Sequence, residues 1–110
     1  MESAEDSSLA QAMEKLWIRF LPQMQERLTT MEAANAAIAA GKLSQDHRTA
    51  ANAAAHNLAG VLGTFGLTRG TVLAREAEVI YAGDIGTDRD ALTTLRNIAA
   101  ELRALIAAHK

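Results

Sequence analysis

The chain has 110 residues, 49% hydrophobic but only 4% aromatic, with one proline, no cysteine and a formal net charge of -2. That length bounds one domain with one core, taken as residues 1–110, and burial carried by alanine and leucine favours helices over strands. The missing cysteine excludes disulfides and thiolate metal sites, the charge argues against a nucleic-acid partner, and no apolar run reaches the length of a membrane span.

The opening, Met1 to Ser8, is acidic and polar. It is the opposite of a signal peptide, so the expectation is a cytoplasmic protein, monomeric, with residues 1–7 fraying. A first helix should start at Ser7 or Ser8, with Leu9, Met13, Leu16, Trp17 and Phe20 recurring at helical spacing. Pro22 interrupts, because proline disfavours helical geometry in the residue before it and fits a first turn. A second helix is therefore expected from Pro22, with the stripe Met24, Leu28, Met31, Ala34 or Asn35, and Ile38, and Gly41 as its C-terminal cap.

Ser44 is the next N-cap candidate, with Asp46 complementing the helix dipole. The helix it opens should run from Gln45 to Phe65 and end at Gly66. Thr68 should cap another through Ala82, facing Leu73, Ala77 and Ile80 inward, with Gly83 closing it. After the loop Asp84-Ile85-Gly86, Thr87 to Asp90 reads as a capping box with a shorter acid. The last helix carries the stripe Leu92, Leu95, Ala99, Leu102 and Ile106. No stretch reads as a strand. The expected fold class is all-α: an up-down antiparallel four-helix bundle with a short extra N-terminal helix.

Helix geometry gives His56 a direction. At about 100° per residue, Ala51, Ala54, Ala55, Leu62 and Phe65 fall within about 60° of Leu58, and His56 falls about 160° away. The imidazole should stand in solvent on a shelf of Thr49, Asn52, Ala53, Gly60 and Gly63. Glycine inside a helix costs about 1 kcal/mol relative to alanine, and bundle packing does not explain it on an outer face. A docked partner does. A neutral, uncovered imidazole beside a flat surface suits a phosphoryl acceptor, since phosphoryl transfer is mostly positioning and charge stabilisation. No nucleotide-binding loop is present, so the chain should carry phosphate without kinase activity of its own.

Ala55-His56-Asn57-Leu58-Ala59-Gly60, followed by Gly63 and Gly66, resembles the histidine-containing phosphotransfer (HPt) domain of two-component phosphorelays. Ala74 and Glu78 are similar to the family's small and acidic positions in the following helix, and Phe20 to Leu28 to its entry into the second. The resemblance implies a bundle with His56 as phosphoacceptor and Gly60 leaving room beside it. It implies receipt of phosphate from the receiver of a hybrid sensor histidine kinase and donation to a response-regulator receiver, with no cofactor of its own and Mg2+ in the receiver. The expected partner surface is Thr49, Asn52, Ala53, Ala59, Gly60 and Gly63. The family's usual lysine three residues after the histidine is Ala59 here, which leaves charge compensation to solvent, the partner, Arg48 or Arg69.

Two other readings compete. One is a docking module for receivers with a degenerate phosphotransfer site. The other is a kinase dimerisation domain, disfavoured by Asn57 after the histidine and by the lack of a proline after Pro22. The other histidines, His47 and His109, are expected to be solvated near helix ends, and no metal site is expected. Glu76 and Glu78, two apart on a helix, should point in different directions.

Overall fold

A computed structural model describes residues 4–85 and 88–109, with side chains from residue 8 onward. Among these residues the chain forms four helices and no strand: α1 (Ala4–Ala39), α2 (Gln45–Thr64), α3 (Thr68–Ala82) and α4 (Arg89–Ala108). Each packs on the next, and α4 closes on α1, giving the up-down bundle.

The extra N-terminal helix is not separate. α1 runs unbroken through Pro22. The reason lies in its seam: Trp17, Met24, Met31 and Ile38, alternating with Leu21, Leu28 and Asn35, keep one phase on both sides of the proline. Burying that seam outweighs the one backbone bond that proline cannot donate. Pro22 itself is exposed. At about 1.5 Å per residue, α1 spans nearly the whole 56 Å length of the molecule. The shorter helices leave its N-terminal end overhanging.

The helix ends follow local chemistry. Ser44 Oγ accepts from the His47 amide at 3.1 Å, and the Ser44 amide donates back to His47 Nδ1 at 3.4 Å. His47, expected to be merely solvated, thus completes a capping box. Gly41 and Gly66 take the expected left-handed conformation, at φ 68° and 73°. Beyond Gly66, the Leu67 amide donates to the Leu62 carbonyl at 2.9 Å, a Schellman closure. Two expected caps move. Leu67, with no side-chain bond, stands at the N-cap of α3 in place of Thr68. Asp88 caps α4, accepting from the Asp90 and Ala91 amides. Thr87 and Gly86 lie outside the described residues.

Small residues on α2 set the spacing of the core. Ala51, Ala54, Ala55 and Ala59 are buried with Leu58 and Leu62, so neighbouring helices approach closely. At Gly70 of α3 a Cβ would come within 2.9 Å of Leu62 Cδ1. Tyr81 joins Leu73 and Ala77 in the core from α3, with Ile80 half-buried against it, and Ile98 joins the α4 stripe. The Tyr81 hydroxyl donates to Asn35 Oδ1 at 2.6 Å, and Asn35 Nδ2 donates to the Leu95 carbonyl at 3.4 Å. This buried chain ties α1, α3 and α4 together. At one end of the bundle Trp17 packs edge-on against Phe65, ring centroids 5.1 Å apart, and lies 3.9 Å from the His109 ring. His109 is therefore half-buried against aromatics instead of solvated.

Candidate functional site

His56 stands on the outer side of α2, with its side chain 71% exposed. The buried face of α2 lies on the opposite side, so the same residues that anchor the helix hold the imidazole out. Gly60, one turn on, is also exposed, and a Cβ there would meet nothing within 4 Å. Gly63 is exposed, with Thr71 Oγ1 at 3.4 Å from where its Cβ would stand. Thr49 and Ala53 complete an uncrowded shelf.

Two of the expected surface residues differ. Ala59 is buried at 4% exposure and belongs to the packing between α2 and α3. Its position, about 60° from His56 around the helix, turns it toward α3, and its carbonyl accepts from Thr71 Oγ1 at 3.1 Å. Asn52 is half-buried and donates from Nδ2 to the Glu78 carbonyl at 2.8 Å. It fastens α2 to α3 more than it offers a free amide.

The acid beside the histidine is Glu78. Its Oε2 lies 2.9 Å from His56 Nδ1. The pairing follows from the α2–α3 hairpin: His56 is ten residues before Gly66 and Glu78 twelve after it, so an antiparallel return brings them level. Glu76 points elsewhere and is exposed, as two-residue spacing requires. Sequence reasoning noted Glu78 but did not place it against His56. The near-equal spacing about Gly66 was the signal that could have done so.

A carboxylate at Nδ1 favours the tautomer with the proton on that nitrogen. Nε2 then keeps its lone pair. One ring nitrogen is thus committed to the protein, and the other faces outward with its lone pair free.

The two arginines considered for charge compensation are occupied. Arg48 donates to the Tyr81, Ala82 and Gly83 carbonyls, closing the C-terminal end of α3. Arg69 pairs with Glu101 of α4, an Nε to Oε2 distance of 2.7 Å. That carboxylate raises the arginine pKa further, while the guanidinium holds Glu101 below the usual carboxylate range.

On the other flank of the shelf, a groove of about 410 Å³ runs between α1 and α2, lined by Glu26, Arg27, Thr30, Ala53 and Asn57 among others. On the α3 flank, Val72 and Val79 are 51% and 72% exposed. Among the described residues no group of three or more His, Asp or Glu is placed to hold a metal ion, and no helix is long and apolar enough to cross a membrane.

The bundle thus presents His56 to solvent midway along α2, with one ring nitrogen on Glu78 and Gly60 one turn away. The family model described as Hpt domain matches residues 15–108, and the chain belongs to that family. It is thereby a component of two-component phosphorelay signalling, whose members meet receiver domains and kinases. Comparison with curated proteins and with solved structures returned no significant match.

Proposed function

We propose that His56 accepts a phosphoryl group from the aspartyl phosphate of a hybrid sensor kinase receiver and passes it to the receiver aspartate of a response regulator. The supporting observation is the division of the imidazole, with Nδ1 on Glu78 at 2.9 Å and the side chain 71% exposed. In the first step the Nε2 lone pair forms a bond to phosphorus as the bond between phosphorus and the donor carboxylate oxygen breaks. The electron pair leaves with the aspartate. The ring gains positive charge, and the Nδ1 proton stays hydrogen-bonded to the Glu78 carboxylate, which stabilises that charge. The second step reverses this with a new carboxylate as nucleophile.

Thr49, Ala53, Gly60 and Gly63 let the partner come close, with Asn52 at their edge. The partner supplies the reacting carboxylate and, when bound to it, the Mg2+ that neutralises phosphoryl charge. This chain supplies the oriented nucleophile and the open approach. The carrier works as a monomer in the cytoplasm, and it has no kinase activity of its own.

Mixing the protein with a phosphoryl-charged receiver tests the proposal. An acid-labile, base-stable phosphate should appear and should be lost in His56→Gln. Receiver binding that survives His56→Ala, with no exchange in the wild type, would instead support the docking-module reading.

A further inference from the structure

A phosphoryl group on His56 creates a charge problem on this surface. It brings about -1.5 to -2 charges at neutral pH, beside a ring whose other nitrogen already touches the Glu78 carboxylate at 2.9 Å. A nearby cation is needed to offset both.

α2 and α3 together carry three arginines, Arg48, Arg69 and Arg75. Arg48 is spent on backbone carbonyls and Arg69 on Glu101. Arg75 is exposed and takes part neither in the hydrogen bond of His56 to Glu78 nor in the ion pairs among the described residues, which join Arg69 to Glu101 and Arg103 to Glu32.

The helix register places Arg75 beside the shelf. Thr71 is level with Ala59 and Gly63, through its bond to the Ala59 carbonyl and its contact at Gly63. Glu78 is level with Asn52 and His56. Arg75 lies between Thr71 and Glu78, so it is level with the turn from His56 to Gly60. It sits about 60° further outward around α3 than Glu78, on the solvent side of the α2–α3 seam. Side chains on a helix lean toward its N-terminus, which for α3 is the direction of Gly60. The space above Gly60 is open.

We infer that Arg75 is the phosphoryl-holding residue of this protein: its guanidinium donates to the phosphoryl oxygens on His56 Nε2 across the gap that Gly60 leaves. Arginine suits the task, since its planar fork matches phosphate bidentately and it is always charged. The inference rests on His56 as the phosphorylated residue, yet it concerns which side chain of this chain meets the phosphate.

The test uses potassium phosphoramidate, a small-molecule donor that phosphorylates histidine without any receiver. A failure of the relay reading then leaves this measurement intact. Phosphohistidine at residue 56 is followed by phosphorus NMR in the wild type, Arg75→Ala, Arg75→Lys and the distant control Arg96→Ala, each checked for helix content. Arg75→Ala should slow phosphorylation about three- to tenfold and raise the titration midpoint of the phosphoryl group by about half a pH unit. Arg75→Lys should restore most of the midpoint, and Arg96→Ala should match the wild type. A midpoint unchanged in Arg75→Ala, or shifted equally in Arg96→Ala, overturns the assignment.

Discussion

Glu78 Oε2 lies 2.9 Å from His56 Nδ1, joining the two helices at the one exposed imidazole of α2's outer face midway along the bundle. Because the carboxylate holds the proton on Nδ1, its removal should free the ring to populate the other tautomer, which has no lone pair on Nε2. A hydrogen bond to a charged group contributes about 1.5–3 kcal/mol, part of which is lost to solvent at this exposed site. Glu78→Ala should therefore lower the rate of phosphoryl uptake about tenfold with the fold unchanged. Nitrogen NMR of the His56 ring would show the tautomer shift, and initial transfer rates the loss.

Gly60→Gln should separate stability from function. The added Cβ meets nothing within 4 Å. Replacing glycine inside an exposed helix face stabilises by up to about 1 kcal/mol. Thermal denaturation should thus show an equal or higher midpoint, while receiver-driven phosphorylation falls because the side chain covers the approach to Nε2. A lower midpoint would mean that Gly60 packs against the bundle.

The bundle and the exposure of His56 could be read from the chain because both depend on helical periodicity, a local property. Leu58 and Leu62 define the buried face, and His56 lies opposite by geometry alone. Pro22 misled for the same reason: its local preference argued for a break, and only the long-range seam from Trp17 to Ile38 overrides it. The contact of Glu78 with His56, the burial of Ala59 and the capture of Arg48 by α3 carbonyls all depend on the register between α2 and α3. That register is set by the Gly66 turn and the close contact of Gly70 with Leu62, which single-helix patterns do not express.

Tyr81 makes stability depend on alkaline pH. Burial pushes its phenol well above the ordinary range. The unfolded chain ionises near the ordinary value of about 10, so the unfolded state binds fewer protons than the folded state above that pH. Stability should therefore hold below about pH 10 and fall as pH rises beyond it. Tyr81→Phe should flatten that decline. It should also cost about 1–3 kcal/mol at neutral pH, because Asn35 Oδ1 stays buried without its donor. Urea unfolding at a series of pH values measures both effects.

Gly66→Ala should destabilise by about 1–2 kcal/mol, since the residue sits at φ 73° where a Cβ is strained. The turn positions α3 against α2, so the variant should also loosen the contact of Glu78 with His56. Chemical denaturation gives the first effect and the His56 ring resonances the second.

The most direct test of the central claim is nitrogen-resolved NMR of histidine-labelled protein charged by a phosphorylated receiver. Phosphorus–nitrogen coupling should appear at Nε2 of His56, with the Nδ1 proton held by Glu78. No phosphoryl group at His56, or one bonded to Nδ1, would contradict it.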